Sequence, residues 1–221
     1  MDQNTKKQRV AEAVLDFIDN GESLGIGSGS TVNILIENLS KVKSKIRNVV
    51  SSSVKSTELL EANGFEVSEL RDVGRLTKYI DGADEVNKNL QMIKGGGGAL
   101  TREKILAHNS NQFICIVDDS KKVDILGEFP LPIEVIPLSR SSVSLELIKH
   151  GGRPVLRENF VSDNGNLILD VHNLQIMEPI RLEQTINNIP GVVTNGIFAL
   201  DHANVLLCAS DSGVDKTDLN A

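Results

Sequence analysis

The sequence predicts an α/β fold: a Rossmann-like, doubly wound, mainly parallel sheet with an inserted smaller ferredoxin-like α+β domain. Two observations carry most of this prediction. In the first half of the chain, short apolar segments alternate with segments of helical periodicity, which indicates βαβ units. In the second half, the predicted order β-α-β-β-α-β is that of the split βαβ motif.

The first half begins with a predicted helix at 6–20, where apolar residues recur at helical spacing. A strand at 23–27 (SLGIG) then leads through a glycine and hydroxyl loop into a helix that ends near Leu39. Further strands are predicted at 46–50, 65–67, 78–80 and 113–117, and further helices at about 54–63 and 99–108. The polar loops follow strands, and doubly wound sheets bind their ligands at the carboxyl ends of the strands.

A change in composition at 128–132 (EFPLP) indicates a domain boundary. Beyond it, strands are predicted at 133–138, 154–157, 167–171 and 192–198, helices at 141–150 and 179–189, and a hairpin turn at Asn164-Gly165. An apolar segment at 205–209 is expected to return to the first sheet. We therefore expect a Rossmann-like domain at 1–127 plus 200–221 and a ferredoxin-like domain at 128–199. The residues after Asp211 support no prediction.

Composition and charge argue against several classes of function. A net charge of −7 and an aromatic content of 3% disfavour nucleic acid, which needs a basic face and stacking surfaces. No apolar run is long enough to cross a membrane, and the polar start MDQNTKKQR lacks the apolar core of a secretion signal. We therefore expect a cytoplasmic protein with neither a membrane nor a nucleic-acid partner. A small polar ligand suits this composition better.

Cysteines and histidines give no indication of a metal site. Cys115 and Cys208 each lie in an apolar run, as buried core cysteines do, and no CxxC pair occurs. The histidines are scattered without ligand spacing, at His108, His150, His172 and His202. We therefore expect no structural metal.

The loop after the first strand, Gly27-Ser28-Gly29-Ser30-Thr31, resembles a nucleotide-binding motif only superficially. Its glycines do not have the spacing of a dinucleotide fingerprint, and it lacks the Gly-Lys-Ser/Thr ending of a P-loop. It is a glycine and hydroxyl loop that opens a helix, and such a loop can bind an anion through backbone N–H groups. It is equally compatible with a tight structural turn capped by Ser30 or Thr31.

The segment 81–105 (DGADEVNKNLQMIKGGGGALTREKI) carries the strongest chemical signal. It places Asp81, Asp84, Lys94 and Glu103 around four consecutive glycines at 95–98. A glycine run costs backbone entropy and packs nothing, so it suits a place where a ligand lies against bare amides. Each charge alone could be an ordinary surface group, and DGAD could be a solvated turn. Together they are what proton transfer on a small anionic substrate would need.

Taken together, these segments resemble ribose-5-phosphate isomerases of type A. The matching stretches are GSGST (27–31), VSSS (50–53), DGADE (81–85), MIKGGGGALTREKI (92–105), FPLPIEVIP (129–137), GGRP (151–154), DNGNLILDVH (163–172) and IPGVVTNGIF (189–198). The resemblance covers essentially the whole chain. The combination of DGADE with KGGGGALTREK is highly specific, whereas GSGST alone is not.

The resemblance implies interconversion of D-ribose 5-phosphate and D-ribulose 5-phosphate through an enediolate in the non-oxidative pentose phosphate pathway, without a metal or other cofactor. It implies that Glu103 is the general base and that Asp81 assists ring opening and proton movement at the sugar oxygens. Asp84 would hold substrate hydroxyls and orient Lys94, which would stabilise the oxyanion. The family also suggests a homodimer.

The same resemblance implies a set of substrate-binding residues that combines the first loop, the DGAD turn, the glycine run and two lysines. They are Ser28, Gly29, Ser30, Thr31, Gly82, Ala83, Gly95, Gly96, Gly97, Lys121 and, on a weaker match, Lys7. The chain departs from the family in small ways. Ser28 replaces the usual Thr, Gly98 replaces a common Ala and is expected to loosen the loop, and Asn195 lies in a usually apolar segment.

Two other functions can be weighed against isomerisation. A sugar-phosphate-binding regulator would keep the phosphate loop but could dispense with Glu103 and Lys94, and the sequence shows no helix-turn-helix. A nucleotide-dependent oxidoreductase is disfavoured by the glycine spacing of the first loop.

Overall fold

The computed structural model describes residues 1–219, and the chain forms two compact units. The first unit consists of Met1–Gly82, Arg102–Lys121 and Ala203–Ala221, and the second of Ala83–Thr101 and Lys122–His202. Residues 220 and 221, which belong to the predicted segment 200–221, lie outside the described residues. The predicted domain division at 127/128 and 199/200 stays a prediction.

The helices are α1 (Gln3–Ala13), α2 (Ser30–Leu39), α3 (Val54–Ala62), α4 (Leu70–Val73), α5 (Leu100–His108), α6 (Arg140–Lys149) and α7 (Pro179–Asn187). Short 3-10 helices occupy Val14–Phe17, Ser40–Lys45, Asp119–Lys121 and Pro137–Ser139.

The strands of the first unit are β1 (Glu22–Ile26), β2 (Ile46–Ser51), β3 (Leu76–Asp81), β6 (Ser110–Asp118), β12 (Val205–Ala209) and β13 (Val214–Asp218). Those of the second unit are β4 (Glu85–Val86), β5 (Met92–Ile93), β7 (Leu131–Val135), β8 (Arg153–Leu156), β9 (Leu167–His172), β10 (Val192–Asn195) and β11 (Ile197–Phe198).

The first unit is built on a six-stranded sheet in the order β13-β12-β6-β3-β1-β2. All its neighbouring strands run parallel except β13, which is antiparallel to β12. The chain runs outward from β1 to β2 and then returns to place β3 on the other side of β1. This reversal makes the junction of β1 and β3 a topological switch point. The predicted doubly wound, mainly parallel sheet is therefore confirmed.

The core of the first unit is continuous from the helices to the sheet. Val10 and Val14 from the N-terminal helical region, Leu35 from α2 and the central strand residues Ile26 and Ile80 are all fully buried in one cluster. Such alternation of buried helix faces with apolar parallel strands is what made the βαβ pattern visible in the sequence.

The predicted helix at 6–20 differs from the observed one at both ends. The helix begins at Gln3, because the Asp2 side chain accepts a hydrogen bond of 2.7 Å from the backbone N–H of Thr5 and caps it. It changes to a 3-10 turn at Val14–Phe17, and the backbone becomes extended at Ile18.

One other prediction in the first unit needs correction, and one strand was not predicted. The strand predicted at 65–67 does not form, and only a single bridge joins Val67 to Val49. Conversely, β13 follows Asp211, where the sequence supported no prediction, and it pairs with the whole of β12.

The second unit contains a four-stranded antiparallel sheet in the order β10-β7-β9-β8, with α6 and α7 in the connections. Numbered within the motif, this is the order 4-1-3-2 of the predicted β-α-β-β-α-β unit, which is therefore confirmed. Its core includes Ile133 and Leu169 from the sheet with Leu147 and Ile186 from the helices.

The strand predicted at 192–198 is divided between two sheets. β10 pairs with β7, whereas β11 pairs with β5 in a small antiparallel sheet of order β11-β5-β4. The break falls at Gly196, where a Cβ atom would lie 2.3 Å from the Lys94 carbonyl oxygen. Close approach of two backbones therefore requires glycine at this position. Among residues 1–219, no helix is long and apolar enough to cross a membrane.

Candidate active site

The switch point of the first unit brings the ends of β1 and β3 side by side. In the parallel register Ile26 is opposite Ile80, so the loop that begins at Gly27 lies next to Asp81. A Cβ atom on Gly27 would lie 1.9 Å from the Asp81 Cγ, so only glycine leaves room for this carboxylate. Ser28 of the first loop and Asp81, 53 residues apart in the sequence, therefore meet as a parallel sheet predicts.

Ser28 joins the two carboxylates that the sequence proposed for proton transfer. Its backbone N–H donates to Asp81 Oδ1 over 3.1 Å, and its Oγ donates to Glu103 Oε1 over 2.6 Å. Asp81 is fully buried, and Glu103, in the first turn of α5, is 2% exposed. Gly82 also donates its N–H to Asp81 Oδ1, over 2.7 Å. Two buried carboxylates thus share one serine, which fixes the orientation of both.

Tyr79 is a further member of this group that the sequence analysis missed. Its hydroxyl donates a short hydrogen bond to Asp81 Oδ2, and its ring is fully buried. Burial, together with the nearby charges of Asp81 and Glu103, raises the pKa of the Tyr79 hydroxyl well above its ordinary value. The phenol therefore stays protonated and remains a donor to Asp81. A signal existed, because residues two apart on a strand face the same side.

The remaining predicted contacts of the first unit surround the start of α2. Gly29 has φ of +105° and precedes the helix, which begins at Ser30 and continues with Thr31. Lys7 Nζ donates to Ser30 Oγ over 3.0 Å, so the weaker lysine candidate does reach this loop. Lys121 lies in the 3-10 turn that follows β6, beyond the carboxyl end of the strand next to β3. Hydroxyls, helix N–H groups and lysines are the donors that phosphate groups bind in proteins.

In the second unit, Asp84 and the glycine run form a separate group of contacts. The Asp84 N–H donates to the Ile93 carbonyl oxygen over 2.9 Å, and Asp84 Oδ2 accepts from the Gly96 N–H over 2.8 Å. A Cβ atom on Gly96 would lie 2.6 Å from Asp84 Oδ1, so this contact needs glycine. Ala83, which precedes Asp84, is half-buried.

Lys94 directly follows β5, and its backbone is bound to Gly196, which lies between β10 and β11. Its N–H donates to the Gly196 carbonyl oxygen over 2.9 Å, and its side chain is 3% exposed. Nζ lies 5.5 Å from the centre of the Phe198 ring, a distance suited to a cation–π contact. A buried lysine with a fixed backbone can stabilise negative charge at a defined position.

Gly95 and Gly98, at the two ends of the glycine loop, have φ of +100° and +86°. Gly97 is exposed, whereas Gly95 and Gly98 are buried. The Gly98 N–H donates to the Gly95 carbonyl oxygen over 2.8 Å and closes a tight turn. Arg157, which sequence reasoning did not select, contacts this turn from the ferredoxin-like part of the unit. No local signal marks that arginine.

Within the described residues, no cluster of three or more His, Cys, Asp or Glu side chains is arranged to hold a metal ion. The polar groups present are instead carboxylates, hydroxyls, lysines and backbone amides. A doubly wound sheet with two buried carboxylates at its switch point is the arrangement of an α/β enzyme that moves protons on a small polar substrate.

Comparison with known proteins identifies the family. The chain matches the family model of ribose 5-phosphate isomerase A (phosphoriboisomerase A) over residues 48–213. It is similar to ribose 5-phosphate isomerase A from Neisseria gonorrhoeae, with 48% identity over 98% of this chain and 97% of that one, and a TM-score of 0.96. It is also similar to a D-ribose-5-phosphate isomerase solved in complex with phospho-erythronic acid, with 36% identity, 99% and 100% coverage and a TM-score of 0.95.

A third similar structure carries the same family name. Ribose 5-phosphate isomerase A from Methanocaldococcus jannaschii is 36% identical, with 97% of this chain and 98% of that one covered and a TM-score of 0.91. The chain therefore belongs to the ribose 5-phosphate isomerase A family. The family resemblance read from the sequence is confirmed, and the roles of individual residues stay predictions.

Proposed function

We propose that Glu103 is the base of the isomerisation and that the group Ser28–Asp81–Glu103 is its proton-transfer machinery. The family makes this chain an isomerase that interconverts D-ribose 5-phosphate and D-ribulose 5-phosphate, a reaction of the pentose phosphate pathway. The observation that carries the proposal is the single serine that binds both buried carboxylates.

In the aldose-to-ketose direction, Glu103 removes the proton from C2 of the open-chain sugar. The electrons of that C–H bond form the C1=C2 double bond, and those of the C1 carbonyl move to O1. The proton then returns from Glu103 to C1, while the O2 proton is transferred to O1 and the C2 carbonyl forms. Asp81 takes part in the oxygen-to-oxygen proton movement, and the Tyr79 hydroxyl keeps it oriented. A positioned carboxylate base contributes about 10²–10⁴-fold.

The enediolate carries negative charge on oxygen, and Lys94 supplies the counter-charge, while the amides of the glycine run line the bound substrate. A well-placed oxyanion donor contributes about 3–4 kcal/mol to the transition state. Asp84 orients the loop through the Gly96 N–H and can accept hydrogen bonds from substrate hydroxyls. Lys94 has little freedom to move, since its backbone is tied to Gly196.

The phosphate is assigned to the loop Ser28–Thr31, together with Lys7 and Lys121. Backbone N–H groups at the start of α2 and the dipole of that helix favour an anion there. Since the phosphate is remote from the reacting carbons, its binding energy serves to align them. An acidic protein can bind it because net charge is screened over a distance of about 8–10 Å.

The isomerase assignment of Glu103 is tested by turnover of ribose 5-phosphate in the presence of a chelator. We expect activity to survive chelation, and Glu103→Gln to lower kcat about a hundredfold or more, because the amide cannot accept the proton. Glu58→Gln, at an exposed position of α3, is the matched control and should behave like the wild type.

Two outcomes would contradict the assignment. Loss of activity on chelation would point to a metal-dependent isomerase. Binding of ribose 5-phosphate without turnover would favour the sugar-phosphate-binding regulator.

We also propose that the chain is a cytoplasmic homodimer. The metabolic reaction of the family supports the location. The exposed apolar side chains of the second unit support self-association. Leu138, Leu145 and Ile148 are 94%, 63% and 55% exposed, and Leu145 and Ile148 share one face of α6.

A further inference from the structure

We propose that Arg157 is a positioning residue that sets the direction of the Gly97 amide toward the substrate. The inference deepens the proposed function, since it rests on the assignment of Gly95–Gly97 to substrate binding. It concerns contacts within the second unit only.

Arg157 lies directly after β8, and its guanidinium has two sets of partners. Nε and Nη2 donate to the two carboxylate oxygens of Asp170, on β9, over 2.8 and 2.6 Å. Nη1 donates to the carbonyl oxygen of Gly96 over 3.1 Å and approaches that of Gly95 at 3.5 Å. The side chains of Arg157 and Asp170 are 18% and 21% exposed, so the pair is largely shielded from water.

The contact with the Gly96 carbonyl oxygen determines where the next amide points. The peptide unit is planar and trans, so its C=O and N–H groups point in opposite directions. When Arg157 holds the Gly96 oxygen, the Gly97 N–H of the same peptide unit is directed away from Arg157. Gly97 is also the exposed member of the glycine run. A cation on the oxygen side additionally polarises the unit and makes its N–H a better donor.

The preceding peptide unit is fixed in the same manner. The Gly95 oxygen faces Arg157, and the Gly96 N–H of that unit donates to Asp84 Oδ2 over 2.8 Å. The loop is therefore held between a cation on its carbonyl side and a carboxylate on its amide side. Without both, a run of glycines has no preferred orientation for its peptide planes.

Phe160 completes this arrangement, and its position explains why residue 98 has no side chain. Its ring centre lies 5.2 Å from the Arg157 guanidinium carbon, and a Cβ atom on Gly98 would lie 2.1 Å from the Phe160 Cζ. The expectation that Gly98 loosens the loop stays a prediction. The aromatic ring occupies the space that an alanine side chain would need, so glycine at 98 and phenylalanine at 160 are packed as a pair.

Arginine is needed here because one planar group must meet two differently placed sets of acceptors. A lysine presents a single ammonium and cannot bind the carboxylate side-on while it also reaches the Gly96 oxygen. We expect Arg157→Lys to raise KM for ribose 5-phosphate about tenfold, the value of one hydrogen bond to a charged group, with kcat within about threefold of wild type. Such a split identifies lost binding rather than lost chemistry.

The experiment measures steady-state kinetics and thermal unfolding of the full chain for four proteins: the wild type, Arg157→Lys, the double variant Arg157→Met/Asp170→Asn and the control Arg153→Gln. Arg153 is an exposed arginine at the start of β8. The double variant removes both charges together, so no buried carboxylate is left without its cation. We expect it to raise KM at least as much as Arg157→Lys does, and Arg153→Gln to leave KM unchanged.

A purely structural role of Arg157 would lower Tm and leave KM unchanged for the folded protein, and that result would overturn the inference. An unchanged KM in both Arg157 variants, with Tm also unchanged, would overturn it as well. Failure of the proposed function is separately visible, because then the wild type would not turn over ribose 5-phosphate or Glu103→Gln would remain active.

Discussion

At the scale of single residues, the environment of Asp81 shows how small groups determine the position of a carboxylate. Gly27 provides the space for it, the N–H groups of Ser28 and Gly82 bind one oxygen, and the hydroxyl of Tyr79 binds the other. A carboxylate with its acceptor positions filled in this way has a single orientation, which proton transfer between fixed sugar oxygens requires.

The raised pKa of Tyr79 leads us to expect a specific dependence of stability on pH. Burial and the carboxylates Asp81 and Glu103 raise its pKa in the folded protein, whereas in the unfolded chain the phenol ionises near its ordinary pKa of about 10. The folded state therefore keeps a proton that the unfolded state releases, and the free energy of unfolding falls as pH rises above about 10. Urea denaturation between pH 8 and about 11 should show this fall in the wild type.

The matched variant for this prediction is Tyr79→Phe, which cannot ionise. Its free energy of unfolding should fall less steeply above about pH 10 than that of the wild type. Lys78, whose pKa is also raised, is present in both proteins, and its contribution cancels in the comparison. Equal slopes for the two proteins would contradict the prediction.

At the scale of secondary-structure elements, the transition from β10 to β11 places Lys94. Gly196 interrupts the strand. Its carbonyl oxygen accepts a hydrogen bond from the Lys94 N–H, and its own N–H donates to the Pro132 carbonyl oxygen over 2.8 Å. The adjacent Asn195, fully buried, ties this transition to α7. Its Nδ2 donates to the Glu183 carbonyl oxygen over 3.1 Å and to Asn187 Oδ1 over 2.8 Å.

Asn195 therefore links the transition to α7, in a segment where the family resemblance implies apolar residues. We expect Asn195→Val to lower the free energy of unfolding by about 1–3 kcal/mol, because the acceptor used by the Ile197 N–H is removed. Chemical denaturation measures this change. Asn188→Ala, at the exposed end of α7, is the control and should change the free energy by less than about 0.5 kcal/mol. A stabilised Asn195→Val protein would show that the network is not needed.

The same elements show what the sequence could and could not predict. Strands such as Ile46–Ser51 and helices such as Leu100–His108 were predictable because apolar periodicity reports burial directly. The division at Gly196 was not, since the residues around it favour one strand and the change of partner is a tertiary effect. The strand predicted at 65–67 is absent for a similar reason, because Val67 alone of these three residues forms a β-bridge, to Val49.

The candidate site residues likewise divide into those that the sequence could indicate and those that it could not. Asp81, Asp84, Lys94 and Glu103 could be proposed from the sequence because they stand close together in an unusual segment. Arg157 contacts a loop some sixty residues away, and that distance in sequence left no local sign of its role.

At the scale of the whole molecule, self-association gives a further prediction. A homodimer that uses the α6 face should be disrupted by Leu145→Glu/Ile148→Glu, because the substitution places charges in an apolar contact. Sedimentation velocity should show the wild type as a dimer and this variant as a monomer. Val161→Glu, at another exposed apolar position of the second unit, should remain a dimer. A monomeric wild type would refute the proposal.

The last strand of the large sheet also bears on how this protein avoids aggregation. β13 runs against its neighbour and presents Asp215, Lys216 and Asp218 along an open border of hydrogen-bonding groups. Charges on such a border make it a poor template for an incoming chain. Edge-to-edge pairing of sheets into fibrils is thereby discouraged, even though the neighbouring strand β12 is entirely apolar.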